Sequence, residues 1–167
     1  MSKRSVATSR ETPVQTVSSV AAGGFVVHSE SLTIDTQARV EIVDLTDRVM
    51  AHVRSLAVRE GTVSIWSMHT TCALFINESQ RALLADMQRL LESFAARDGH
   101  YLHNDPAHSD CSRANADSHL RAMLLSHSLV LQISGGEVVL GHWQRILLAE
   151  LDGPRPRTLR LQIMGVA

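Results

Sequence analysis

Residues 128–143 read SLVLQISGGEVVLGHW, and the direction in which this stretch folds back decides the fold class. Two apolar, β-rich runs flank Gly135 and Gly136. Paired glycines between such runs are the composition of a tight hairpin, because the favoured two-residue turns need positive φ. A hairpin makes its strands antiparallel, whereas a parallel pair needs a crossover of a dozen or more residues. Working outward, Leu159, Leu161 and Ile163 alternate with Arg160, Gln162 and Met164, which predicts a half-buried final strand.

Upstream, FVVH and SLTI are two short strand candidates, and in ARVEIVDL the residues Val40, Ile42 and Asp44 alternate against Glu41, Val43 and Leu45. TVSIWSMHTTCALFINE reads as strand, polar kink at His69 to Thr71, and strand again. Two helices interrupt the strands. The first, in TDRVMAHVRSLAVREG, has Val49, Met50, Val53, Leu56 and Ala57 at helical spacing, a Thr46 or Asp44 cap, and a stop at Gly61. The second, SQRALLADMQRLLESFAARDG, has Ser79 as cap candidate and a stripe of Leu83, Leu84, Met87, Leu90, Leu91 and Phe94. NADSHLRAMLL is a shorter helical candidate. Strands with inserted helices and no βαβ regularity predict an α+β fold, a largely antiparallel β-sandwich with two main helices. Residues 25–167 form one expected domain, and residues 1–24 a flexible N-terminal tail.

The 167 residues carry 16 basic and 17 acidic side chains, so the chain lacks the basic footprint of a nucleic-acid binder. No apolar run reaches the 18 residues of a membrane span, and residues 1–24 lack the unbroken apolar core of a secretory signal. Cys72 and Cys111 have no CxxC spacing and are read as free thiols in a reducing compartment, the cytoplasm.

HYLHNDPAHSDCSRANADSHL, residues 100–120, holds four of the nine histidines. Of these, His103 and His119 are the candidates for convergence, one in a loop and one near a helix start. Neutral imidazole is the commonest metal ligand, although the spacing matches no standard zinc signature. Asn104, Asp105, Asn115 and Asp117 suit outer support of such imidazoles, and equally suit turns and a helix cap. In DGPRPR, prolines stiffen the backbone around Arg155 and Arg157, which suits bidentate capture of phosphate; a solvated turn accounts for the same residues. Glu78 stands at the mouth of the second helix, where a carboxylate also serves as a helix-dipole partner. Gln144 follows Trp143, whose indole, if buried, would itself call for polar company.

Taken in order, HTTCALFINE, HND, NADSHLRAMLL, SLVLQISGGEVVLGHWQ and ELDGPRPRTLRLQIMG resemble the YjbQ-like family, often labelled secondary thiamine-phosphate synthase, over about Phe25 to Gly165. The resemblance implies a homotrimer and recurrent polar positions at His69, Thr70, Glu78, His103, Asn115, His119, Gln144, Glu150, Asp152 and Arg157. It implies a metal-dependent enzyme of phosphorylated small molecules, with weak synthase activity that joins a pyrimidine diphosphate to a thiazole phosphate and releases pyrophosphate. The expected roles are catalysis for His69, Glu78 and Gln144, substrate or phosphate binding for Thr70, Asn115, Arg155 and Arg157, and a divalent metal, zinc or magnesium, on His103 and His119. A metal-dependent phosphoester hydrolase and a non-enzymatic trimeric binding protein are the competing readings. His127 and His142 depart from the family's pattern.

Overall fold

The computed structural model describes residues 17–22 and 24–166. Among these residues nine strands, β1 (Val17–Ala22), β2 (Phe25–Asp35), β3 (Glu41–Asp44), β4 (Glu60–Ser67), β5 (Cys72–Asn77), β6 (Ser128–Ser134), β7 (Glu137–Val138), β8 (Arg145–Glu150) and β9 (Pro156–Val166), alternate with helices α1 (Thr46–Arg54), α2 (Arg81–Phe94) and α3 (Ala116–Leu124). The strands make a six-stranded sheet, β1-β2-β9-β4-β6-β7, and a three-stranded sheet, β3-β8-β5. Every strand pair among the described residues is antiparallel. The expected hairpin is present: Ser134 pairs with Glu137 across Gly135 and Gly136, whose φ angles are +60° and +83°. Two successive positive φ values are what only glycine adopts at low cost.

The sandwich core lies between the sheets. Val63, Ile65, Leu131, Ile133, Leu159, Leu161 and Ile163 of the larger sheet meet Cys72, Leu74, Ile146 and Leu148 of the smaller, with Val49 and Val53 of α1. On the far face of the smaller sheet, Ala73, Ala149 and Leu151 pack with Leu91 of α2 and Ala122 of α3. Strand β8 is therefore covered on both faces, which explains its unbroken apolar run ILLA where β9 alternates.

Several boundaries differ from the sequence reading. FVVH and SLTI form one eleven-residue strand, β2, because its whole length pairs with β9. Helix α1 ends at Arg54 instead of Gly61, since Arg59 already donates its N–H to the Val166 carbonyl and leads into β4. The α2 cap is Gln80, whose side-chain oxygen accepts the Leu83 N–H at 2.8 Å, and Ser79 lies outside the helix. Of the α2 stripe only Leu91 is buried, and Leu90 and Phe94 face solvent. Strand β1 falls inside the segment expected as a flexible tail; residues 1–16 of that segment lie outside the described residues. No helix among the described residues is long and apolar enough to cross a membrane.

Candidate functional site

The register of β5 on β8 separates the predicted site residues into two groups. Cys72 lies opposite Glu150 at one end and Asn77 opposite Arg145 at the other. Five residue steps of strand put about 17 Å between those ends. Thr70 and Thr71 precede β5 at the Glu150 end, together with Asp152, Arg155 and Arg157; Glu78 and Gln144 stand at the other. Within one chain the structure does not bring Glu78 and Gln144 to the remaining candidates. Gln144 is also used locally, because its side-chain oxygen accepts the Gly141 N–H at 2.7 Å and closes the turn before β8. Trp143 is exposed, with the His142 ring edge-on to it, so burial of the indole is not what calls for polar neighbours there.

At the Glu150 end the first feature is a closed ion pair. Glu150 and Arg157 are both buried. Arg157 donates through Nε to Glu150 Oε2 at 2.6 Å, through Nη2 to Oε1, and through Nη2 to the Thr71 carbonyl at 3.2 Å and hydroxyl at 3.1 Å. Arg157, expected to take phosphate, is thus committed to a buried carboxylate and closed to solvent. The reason is topological: β9 turns the alternate positions 157, 159, 161 and 163 inward under the smaller sheet, where Glu150 ends β8.

His69 stands beside this pair. Its Nε2 accepts the Thr158 backbone N–H at 2.8 Å, so the neutral ring carries its proton on Nδ1. Burial and then the Arg157 charge push its pKa below the ordinary imidazole value. A histidine whose folded pKa is depressed contributes stability that is present above its unfolded pKa and lost as pH falls. Between about pH 7.5 and 5.5 the protein should therefore lose stability, and His69→Gln, which keeps an acceptor for Thr158, should lose less; urea unfolding at the two pH values measures this. Identical losses in the two proteins would show that His69 does not contribute. Cys72 lies in the same region with its sulfur 3.1 Å from the Ser67 hydroxyl; burial pushes its thiol up, away from nucleophilic use.

The second feature is the histidine pair. Helix α3 and the short 3₁₀ turn Leu102–Asn104 bring His119 and His103 together, with ring centroids 5.1 Å apart and planes at 83°. Asn104 ties the two elements by accepting the Ala116 N–H at 3.0 Å. The His103 Nε2 is buried and, among the described residues, has no hydrogen-bond partner. Burial, and then the neighbouring His103, push the His119 pKa down. The rings open on a cleft of 460 Å³ shared with Tyr101, Leu102, Ala116 and Leu120. His100 also lines it, while His108 pairs with Asp105 at 2.9 Å on the surface.

The third feature joins Asn115, Asp117, Asp152 and Arg155, which the sequence reading names, to Arg39, Arg97, Arg113 and Arg121, which no motif marks as partners. Buried Asp152 accepts from Arg39 Nη1 at 3.0 Å, Arg113 Nε at 3.1 Å, Arg155 Nη2 at 3.0 Å and Asn115 Nδ2 at 2.8 Å. Buried Asp117 accepts from Arg39 and from Arg97 Nη1 at 3.0 Å, and lies 3.5 Å from Arg121. Asn115, expected at the substrate, instead holds Asp152 and is itself buried. Arg155 stays partly exposed, and Thr70 is exposed. Arg39 sits in the loop after β2, 78 residues from Asp117, with no local pattern to mark it.

Among the described residues no three His, Cys, Asp or Glu side chains group as a metal site. Asp117 and Asp152 are near enough to His119 to act on its charge, but their oxygens are taken by arginines. Two imidazoles with an orphaned buried nitrogen fit half of a tetrahedral zinc shell, the rest falling to solvent or substrate oxygens.

Comparison with known proteins agrees with this architecture. The family described as UPF0047 protein YjbQ-like matches residues 30–166. A UPF0047 protein of Methanothermobacter thermautotrophicus is 40% identical over 139 residues, covering 83% of this chain and 93% of the relative. One of Archaeoglobus fulgidus is 44% identical over 126 residues, covering 75% and 93%. Among solved structures, a YbjQ-like protein of unknown function from Sulfolobus solfataricus superposes with a TM-score of 0.78 at 32% identity, covering 84% of this chain and 99% of that one. A hypothetical protein of Aeropyrum pernix gives 0.75 at 31% identity, covering 82% and 98%. With nearly the whole folded region matched by sequence and by backbone, the chain belongs to the UPF0047 YjbQ-like family.

Proposed function

We propose that this protein is a metal-dependent enzyme of phosphorylated small molecules, with joining of a pyrimidine diphosphate to a thiazole phosphate as the candidate reaction. The observation that carries the reading is the buried Nε2 of His103, without a partner among the described residues, against the ring of His119 at the mouth of a cleft. An imidazole nitrogen left buried without a partner forgoes a hydrogen bond, which is costly unless a ligand completes it. A divalent ion bound there would offset charge developing on a departing phosphate or pyrophosphate oxygen. The chain's own groups would orient the anion: Arg155 by its partly exposed guanidinium, and His69 by an Nδ1–H donor held in place through Thr158. Thr70, exposed and next to His69 in the chain, would bind the same anion. Glu78 and Gln144, about 17 Å away along the strand, are assigned no step in this site within one chain. We propose a homotrimer, consistent with the exposed Trp66 and Val130 on the open face of the larger sheet.

The test is elemental analysis of untagged protein purified without chelator, beside a His103→Ala/His119→Ala variant. About one metal per chain is expected, lost in the variant, with turnover reduced by more than the roughly 10–100-fold typical of losing a ligand's outer support. Light scattering on the same preparation should give the mass of three chains, and a monomer would overturn the trimer. Metal retained by the double variant, or full turnover without the two imidazoles, would overturn the site. Phosphate released from single substrates with no coupling partner would assign the hydrolase reading instead.

A further inference from the structure

We infer that Arg39, Arg113 and Arg155, arranged on the buried carboxylate of Asp152, form the seat for a phosphate monoester whose organic body lies over the His103–His119 cleft. The inference rests on the proposed function and names its substrate class and its anion-binding residues.

The arginine–carboxylate network carries an excess of positive charge. The network holds five guanidinium groups, Arg39, Arg97, Arg113, Arg121 and Arg155, against three carboxylates, Asp117, Asp152 and Glu92. Among the described residues, two positive charges remain uncompensated within it. A phosphate monoester carries about −1.5 to −2 near neutral pH, which matches that excess, whereas a carboxylate supplies only one charge.

Geometry then selects the arginines. Arg121 is closed off, with 3% of its side chain exposed. Arg113 spends one Nε–H on Asp152 and leaves 54% of its side chain exposed, while Arg39 and Arg155 are 35% and 28% exposed. Each guanidinium has five donors, so further N–H groups stay available on all three. Because one buried carboxylate holds them, they are oriented before a ligand arrives, which lowers the cost of ordering them on binding.

The seat and the cleft share the first turn of α3. Asp117 and Ser118 contact Arg39 on one side, and Ala116, His119 and Leu120 line the cleft on the other. A helix with its side chains is about 10–12 Å across, so one small molecule of about that length would reach from the arginines to the cleft floor. Tyr101, Leu102, Ala116 and Leu120 make that floor largely apolar, which suits a ring or short hydrocarbon body.

The test is calorimetric titration of the full chain, freed of metal by chelation, with phenyl phosphate and with inorganic phosphate. Phenyl phosphate should bind at least about tenfold more tightly than inorganic phosphate, and Arg113→Gln and Arg39→Gln should each weaken it by about tenfold or more. Arg54→Gln, whose parent side chain pairs with Glu137 elsewhere, should leave it unchanged. Arg113 is exposed enough that its variant should keep the parent unfolding temperature, which separates lost binding from lost fold. Absence of binding by the parent protein, equal affinity for the two probes, or unchanged affinity in Arg113→Gln would overturn the seat. A chain that binds phenyl phosphate as expected but retains no metal would leave the seat standing and overturn the metal reading; metal retained with unchanged affinity in Arg113→Gln would do the reverse.

Discussion

Arg157→Met should destabilise the protein by about 3–5 kcal/mol, because it leaves the Glu150 carboxylate buried without its countercharge. For a chain of this length that is a fall in unfolding temperature of roughly 10 °C or more. Both partners are closed to solvent, so water cannot replace the lost guanidinium. Glu150 also accepts the Thr36 hydroxyl at 3.0 Å and the Asp152 N–H at 2.8 Å, so it cannot turn away without breaking the loop that carries Asp152. Adding Glu150→Gln should recover at least half of the loss, since a neutral amide retains an acceptor for Asp152 and offers Thr36 a donor. Thermal unfolding followed by circular dichroism measures both variants. A single variant within about 1 kcal/mol of the parent would show that the pair contributes far less than its burial implies.

Asp152→Asn is the second large effect, on the order of 3–5 kcal/mol, because three guanidinium groups then face a neutral amide. The amide oxygen can accept from some of them, but its NH₂ group would point a donor at donors. Unlike the Arg157 variant, this one should respond to salt. Arg39, Arg113 and Arg155 are partly exposed, so their mutual repulsion is screened as ionic strength rises. The stability loss should therefore be smaller at high salt than at low salt, as read from urea unfolding in the two conditions. A salt-independent loss would mean that lost hydrogen bonds, and not uncompensated charge, account for the effect.

These two carboxylates also mark how far the sequence could be read. The paired glycines at 135 and 136 and the alternation of Leu159, Leu161 and Ile163 are local signals, and the structure has both the hairpin and the half-buried strand. His103 and His119 were expected to converge, and their rings lie in edge contact because Asn104 ties the turn that carries His103 to the start of α3. Arg157 was expected to meet an anion. The anion it meets is the chain's own Glu150, a partner supplied by the neighbouring sheet.

By itself the sequence determined what depends on neighbours within a few residues: strand and helix faces, the antiparallel turn, the histidine-rich loop and the family. Only tertiary structure decided that β9 lies between β2 and β4, that β8 is buried on both faces, and that Arg39 meets Asp117 and Asp152 across 78 and 113 residues. The physical reason is that periodicity records which side of an element avoids water, but not which distant element covers it. An arginine in a loop carries no periodic signal, and its partner is set by the packing of the two sheets and α3 around it.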